Sequence, residues 1–226
     1  MLIDHELYEQ TLKILRGEEK LAPVYCALKD WLKSRFEMTA CNFAFHETEL
    51  FNDERRFRLN IVLFSKMDYI RMLQHGRFYD HEKGAEISRK FDELAQEFDL
   101  KDKEKARDAG LNFYDFSLEI NVNIRIYTFS AVVNSLKEKY QEHAVWDIIP
   151  TTRGIVIFYD KESDKNGNSK NGVSEMIRND YLAALREHDE FGTIRYDEIG
   201  IGFESKELLD NSFEGRVSCY LQDQGL

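Results

Sequence analysis

Polar side chains that could do chemistry alternate with apolar ones along the segment 116–126. A strand turns successive side chains to opposite faces, so this period of two predicts one long, half-buried β-strand. A carboxylate, two amides and a guanidinium would then share one face, contributed by Glu119, Asn121, Asn123 and Arg125. Such groups, ordered on a rigid sheet, are typical of a surface that recognises a small polar ligand or another protein. A solvated outer sheet face is the alternative that the same pattern allows.

Carboxylates are concentrated between Arg186 and Glu214, where nine acidic side chains accompany three basic ones and give a formal charge of −6. A surface of this sign steers a basic partner and raises its association rate more than its affinity. An aromatic residue among the acids provides an anchor of the kind that interfaces favour. We therefore predict a protein-binding surface formed by Glu187, Asp189, Glu190, Tyr196, Asp197 and Glu198, with solvated surface as the alternative.

The sequence lacks complete motifs for nucleotide binding, metal binding and covalent catalysis. The segment 167–174 resembles a phosphate-binding loop but has Val173 in place of the required lysine. A calcium loop over 162–173 would need an aspartate at its first position and a glutamate at its twelfth, and the chain has Glu162 and Val173 there. The six histidines lack metal-binding spacing, and there is no catalytic serine or cysteine signature. We predict no cofactor, no metal site and no assigned catalytic residue.

Composition restricts the partners and the compartment. The formal charge is −11 and the sequence pI is near 5.1, which opposes binding to nucleic acid and to anionic membrane surfaces. No apolar run approaches 18 residues, so no membrane span is expected, and acidic residues stand where a secretion signal is basic. Three widely spaced cysteines favour free thiols in a reducing cytoplasm: Cys26, Cys41 and Cys219.

The remaining periodicities predict an α+β protein. Helical spacing covers 4–16, 21–36, 67–73, 82–99, 130–142 and 174–187. Strand patterns cover 41–45, 57–63, 113–127, 144–149, 154–159, 198–203 and 215–222. These elements predict a mainly antiparallel sheet with helices packed on one face.

The whole chain, 1–226, is predicted to form one α+β domain. The almost wholly charged residues 100–110 are a candidate subdivision, which would leave 1–100 as an N-terminal half and 111–226 as a C-terminal half. Similar apolar runs begin at Ile61 and Ile155. Two duplicated α-β-β-α halves would explain them, and so would a chance resemblance between buried strands.

These observations predict an acidic cytoplasmic protein that binds another protein, of basic charge. One role in this class is that of an immunity-type or inhibitor protein, which covers the active site of a basic toxin or nuclease. The alternative is an enzyme of unknown class whose site combines Glu119, Arg125 and His46 on the polar face of the sheet. The missing catalytic motifs favour a binding protein over an enzyme, and the sequence leaves the oligomeric state open.

Overall fold

The computed structural model describes residues 3–49, 55–74, 78–151 and 154–225. The chain divides into two compact units, Met1–Ile120 (unit 1) and Asn121–Leu226 (unit 2). The charged residues 100–110 lie within unit 1, and the division between the units falls inside a helix.

Unit 1 is built on a three-stranded mixed sheet. Its helices are α1 (His5–Leu15), α2 (Pro23–Phe36), α3 (Lys66–Arg71) and α4 (His81–Glu97), with a 3-10 turn at Lys103–Lys105. Its strands are β1 (Ala40–Glu49), β2 (Arg55–Leu63), β3 (Leu73–Gln74), β4 (Phe78–Tyr79) and β5 (Gly110–Asp115). The sheet order is β1-β2-β5, in which β1 and β2 are antiparallel and β2 and β5 are parallel. The two short strands β3 and β4 form a separate antiparallel pair.

Helices lie on both faces of this sheet. On one face, the apolar stripes of α2 and α4 cover Leu59 and Ile61 in a buried core; Leu28 and Phe91 are among the fully buried side chains. On the other face, α1 packs against β1, and the amide of Asn42 donates to the Thr11 hydroxyl at 3.0 Å. We predicted helices on one face of the sheet only; the structure differs because α1 covers the second face.

The segment predicted as a long strand is a helix, α5 (Phe116–Lys139), so that prediction is wrong. Strand β5 ends at Asp115 and the helix begins at the next residue. Phe116, Ile120 and Ile124 are buried, while Leu118 is 52% exposed. A pattern with a period of two also contains every fourth residue, and residues four apart lie on one side of a helix. The same alternation therefore provides a buried helical stripe.

Unit 2 is built on a second three-stranded mixed sheet. Its strands are β6 (Val145–Pro150), β7 (Gly154–Tyr159) and β8 (Gly200–Ser205), in the order β6-β7-β8. Its further helices are α6 (Glu162–Lys170), α7 (Val173–His188), α8 (Lys206–Phe213) and α9 (Val217–Asp223), with 3-10 turns at Gln141–His143 and Tyr196–Glu198. Helix α9 occupies the segment 215–222, so the closing strand predicted there is wrong.

The central strand β7 is buried along its whole length. On one face, Val156 and Phe158 pack against Leu209 of α8 and Tyr220 of α9. On the other face, the hydroxyl of Tyr159 lies 2.9 Å from the hydroxyl of Ser174 in α7. An interior strand that is apolar on both faces is what the sequence predicted for this segment.

The two units share one strand topology. In each, an antiparallel hairpin is followed by a connection that contains two helices and then by a third strand parallel to the second. At the ends of the parallel ladders, Leu63 pairs with Asp115 and Tyr159 pairs with Ser205. The α+β class is confirmed. The shared topology supports the duplication of two halves, which itself stays a prediction.

Candidate functional site

The polar residues assigned to the predicted sheet face lie on helix α5 and do not form a row. Residues two apart on a helix project in different directions, so Glu119 and Asn121 are separated. Glu119 is 7% exposed and accepts a hydrogen bond from the Ile3 backbone N–H at 3.0 Å. Burial raises the pKa of Glu119. The amide of Asn121 donates to the Thr193 carbonyl at 3.4 Å, and Asn123 is half-buried. The predicted recognition surface on this face is therefore wrong.

The alternative enzyme site depended on the same face. His46 is exposed on β1, where it pairs in register with Arg58 of β2. Glu119 is a buried helical residue, and the side chain of Arg125 lies outside the described residues. Because α5 is a helix, there is no sheet face on which these groups could meet. This correction removes the site that was proposed for an enzyme.

Asp189, one of the predicted acidic binding residues, holds together the turn that follows α7. Its carboxylate accepts hydrogen bonds from the Thr193 N–H at 2.8 Å, the Ile194 N–H at 3.1 Å and the Tyr196 hydroxyl at 2.9 Å. The Arg186 guanidinium lies 4.9 Å from the centre of the Tyr196 ring. Burial and the hydrogen bond to Asp189 raise the pKa of Tyr196 to about 12. These contacts order unit 2 locally.

The other predicted acidic residues lie at the surface of unit 2. Arg195 forms ion pairs with Asp197 at 3.0 Å and Glu198 at 3.4 Å, and its hydrogen bond lowers the pKa of Asp197. Glu187 and Glu190 are exposed. This surface therefore presents exposed carboxylates, and Arg195 balances part of their charge.

A cleft of about 520 Å³ lies in unit 1, where β2 and β5 end and where α3 and α5 begin. Its walls are mostly aromatic and aliphatic: the Tyr79 ring lies 5.6 Å from the ring of Phe113 and 6.4 Å from that of Tyr69. Ligand pockets have volumes of roughly 300–1,000 Å³, so this cleft is large enough for a ligand or for part of a partner. The residues that line it are Lys66, Tyr69, Ile70, Leu73, Tyr79, Asn112, Phe113, Asp115 and Leu118.

Most polar groups of the cleft are engaged within unit 1. The hydroxyls of Tyr69 and Tyr79 lie 3.4 Å apart, and burial raises the pKa of Tyr79. Asn112 accepts a hydrogen bond from Arg58 and donates one to Asn60, both at 2.8 Å. These contacts fix the wall of the cleft and use both ends of the Asn112 amide.

The two charged residues of the cleft differ in their surroundings. One carboxylate oxygen of Asp115 accepts hydrogen bonds from the Ser117 hydroxyl at 2.6 Å and from the Leu118 N–H at 3.3 Å. This places Asp115 as the N-terminal cap of α5. Lys66 is exposed and, within the part of the chain that the structure describes, has no hydrogen bond or ion pair. Lys66 is therefore the cation that a ligand in the cleft can reach.

Apolar side chains around the cleft are unusually exposed. Leu118 is 52% exposed, Tyr79 42% and Ile70 37%, and Met67, which follows Lys66 in α3, is 58% exposed. Seven large apolar side chains are this exposed among the described residues; three of them line this cleft, and Met67 follows the lining residue Lys66 in the chain. Concentrations of exposed apolar surface mark interaction sites.

The corresponding end of the sheet in unit 2 is occupied by charged side chains. Lys165 forms ion pairs with Glu162 at 2.8 Å and Glu204 at 3.3 Å. The Ser205 hydroxyl donates to Glu162 at 3.0 Å, and Glu207 accepts the Glu162 backbone N–H at 3.1 Å. The two units therefore differ at this end of the sheet. In unit 2 the lysine forms ion pairs with carboxylates of the same unit, whereas unit 1 has a cleft there.

Sequence reasoning missed the cleft for two reasons. The apolar alternation predicts a strand that buries Leu118, whereas the helix that forms leaves this residue exposed. The short helix at 67–73 was predicted, but its length gave no indication that Ile70 would remain exposed. One available signal is the exposed pair Lys66 and Met67 at the start of α3, which two residues separate from the end of β2 at Leu63.

Neither a metal centre nor a membrane-spanning helix is found in the described residues. Among them, no group of three or more His, Cys, Asp or Glu side chains is placed to hold a metal ion. None of their helices is both long and apolar enough to cross a membrane.

Comparison with known proteins returns no relative: no protein-family model, no curated protein and no solved structure matches this chain. The cleft and the charges around it are therefore the features of this chain that bear on its function.

Proposed function

We propose that this protein is a binding module that engages another protein through the cleft of unit 1. The observation that carries the proposal is the 520 Å³ cleft with its exposed apolar rim. Interfaces obtain most of their binding energy from a few large side chains inserted into such pockets. The cleft is lined by residues of α3, β3, β4, β5 and the first turn of α5, so its walls are held by regular structure.

The rim favours a protein over a small molecule as the occupant. A small molecule inside the cleft would contact Leu118, which lines it, but would leave Met67, which does not line it and is more than half exposed, in contact with water. A protein surface can fill the cleft and cover both side chains together. Burying apolar surface contributes roughly 25 cal/mol per Å², so covering the rim adds to the affinity.

The charge of the chain favours a basic partner. The net charge of −11 includes the exposed carboxylates of Glu187 and Glu190 in unit 2. Long-range attraction would speed the approach of a basic protein, while contacts at the cleft would determine how long it stays bound. Within this class we propose an inhibitor or immunity-type role, in which the module covers a functional surface of its partner.

We further propose that the protein works in the cytoplasm. All three cysteines are free, and Cys26 is exposed. An exposed free thiol is compatible with a reducing compartment, whereas thiols of secreted proteins are mostly paired. Fractionation of cells followed by detection of the untagged protein tests this location, and recovery in a secreted fraction would contradict it.

Capture of partners by matched variants tests the binding function. The wild-type chain, Ile70→Asp, Leu118→Asp and the control Met176→Asp would each be immobilised and exposed to extract of the source cells. Met176 is 54% exposed on α7 in unit 2, so the control adds the same charge away from the cleft. We expect one or more proteins to be retained by the wild type and the control and lost by both cleft variants. Equal retention by all four chains would contradict the proposal.

The dependence of the binding rates on ionic strength provides a second test. For a basic partner, the association rate measured by surface plasmon resonance should fall between 0.05 and 0.5 M salt, because screening shortens the range of the attraction, roughly 10 Å at 0.1 M. The dissociation rate should change less. An association rate that is independent of salt would contradict the electrostatic part of the proposal and leave the cleft contact intact.

A further inference from the structure

We infer that the cleft of unit 1 takes a partner segment in which a large apolar side chain lies next to a carboxylate, and that Lys66 binds the carboxylate. This inference rests on the proposed function and names the chemistry of the segment that the cleft selects. It concerns a local contact, and it is compatible with a partner whose overall charge is basic.

The apolar part of the occupant follows from the walls. Phe113 and Tyr79 are in ring contact, and Ile70 and Leu118 border the opening. The Tyr79 hydroxyl is already close to that of Tyr69, and the Asn112 amide is bonded to Arg58 and Asn60. A polar occupant would therefore find few free hydrogen-bonding groups, whereas an apolar side chain would meet ring faces and aliphatic carbons.

The anionic part follows from Lys66. Asp115, the other charged residue of the cleft, has an oxygen committed to Ser117 and to the start of α5. A helix N-terminus carries partial positive charge, which this carboxylate already offsets. The Lys66 ammonium has no ion-pair or hydrogen-bond partner among the residues that the structure describes. A carboxylate supplied by the occupant would complete the charge balance of the cleft.

In unit 2, a lysine at this end of the sheet forms ion pairs with carboxylates of the same unit. At the same end of its sheet, Lys165 lies between Glu162 and Glu204, at 2.8 and 3.3 Å. Burial lowers the pKa of Lys165, but the hydrogen bonds that it donates to these carboxylates and their charges raise the pKa by more, which keeps the lysine charged. In unit 1, Lys66 is the first residue of α3, the position that Glu162 holds in α6, and Tyr114 stands in the register position of Glu204. The two carboxylates that pair with Lys165 in unit 2 therefore have no carboxylate counterparts at these two positions of unit 1.

Three small probes separate the two parts of the inference. N-acetyl-phenylalanine carries the side chain and the carboxylate, its amide lacks the charge, and N-acetyl-glycine lacks the apolar side chain. Their dissociation constants would be measured by NMR titration of the wild type, Lys66→Gln and the control Lys101→Gln. Lys101 is also exposed and lies in unit 1 outside the cleft, so its replacement removes the same charge elsewhere.

We expect N-acetyl-phenylalanine to bind the wild type and Lys101→Gln about threefold to fivefold more tightly than its amide, the preference typical of an exposed ion pair. The preference should vanish in Lys66→Gln, and N-acetyl-glycine should not bind. Equal binding of the acid and the amide to the wild type would overturn the inference, as would a preference that survives in Lys66→Gln or failure of both phenylalanine probes to bind. The capture experiment does not use these probes, so loss of the charge preference with retained partner capture would refute the inference alone.

Discussion

The carboxylate of Asp115 accepts the backbone N–H of Leu118 at 3.3 Å, and this contact joins the end of a strand to the start of a helix. Leu118 is one of the apolar residues whose alternation predicts a strand. The cap satisfies one of the N–H groups that the first turn of a helix leaves without a partner. A single side chain thus marks the point where β5 becomes α5.

Replacing Asp115 with alanine is expected to destabilise the protein by about 1 kcal/mol, because the first turn of α5 loses its cap. Asp115→Asn keeps an oxygen acceptor and should lose only a fraction of this amount. Urea unfolding followed by circular dichroism measures both free energies. Equal stability of the alanine variant and the wild type would show that the cap does not hold the helix.

Glu119 is expected to make stability depend on pH. Burial raises its pKa in the folded state, so the folded protein binds its proton more tightly than the unfolded chain does. The stability of the wild type relative to Glu119→Gln should therefore fall as the pH rises from the ordinary glutamate pKa, about 4.3, through the raised value. Unfolding free energies at intervals between pH 4 and pH 7 measure the difference.

The variant Glu119→Leu serves as the control for that experiment. It removes the acceptor of the Ile3 N–H and is expected to be less stable than Glu119→Gln at every pH. A difference between the wild type and Glu119→Gln that stays constant with pH would contradict the role assigned to the buried carboxylate.

The pKa of Tyr196 is expected to fall from about 12 toward the ordinary value, about 10, in Asp189→Asn. The neutral amide no longer disfavours the tyrosinate, although burial still does. Asp189→Ala should in addition cost about 2 kcal/mol, since two backbone N–H groups lose their acceptor. The pH titration of the Tyr196 ring by NMR reports the first effect, and chemical denaturation reports the second. The exposed neighbour variant Glu187→Gln should change neither quantity by a comparable amount.

Two glycines in unit 2 are expected to respond in opposite directions to alanine. A Cβ at Gly154 would collide with the backbone oxygen of Gly200 in the neighbouring strand, so Gly154→Ala should cost about 3 kcal/mol or more. A Cβ at Gly167 meets no atom within 4 Å, and the residue lies inside α6. Gly167→Ala should stabilise the protein by up to about 1 kcal/mol through its higher helix propensity. Thermal unfolding of the pair tests the close approach of β7 and β8, and similar stabilities of the two variants would argue against it.

Local patterns predicted much of the fold. The helices α1, α2 and α4 and the hairpin β1–β2 follow the predicted segments, because each has a clear period. Asp4 and Asp80 in addition cap α1 and α4. The interior strand at 154–159 was also predicted with its observed bounds. These segments determine the α+β class even though the strands predicted at 113–127 and 215–222 are largely helical.

The candidate site was not predictable in the same way. Alternation along 116–126 is compatible with a strand and with a helical stripe, and the choice depends on the cap at Asp115 and on what covers Phe116 and Ile120. Phe113 is far from Tyr79 in sequence, and their rings are brought together by the tertiary fold, in which β5 pairs with β2.

The sequence by itself determined the acidic balance, the free thiols, most helices and the α+β class, because composition and short-range periodicity decide them. Only the tertiary structure decided that Glu119 is buried, that Leu118 is exposed and that Lys66 lines a cleft where its ammonium has no ion-pair partner among the described residues. The physical reason is that burial and ion pairing depend on long-range neighbours. A local pattern carries no information about which neighbours those are.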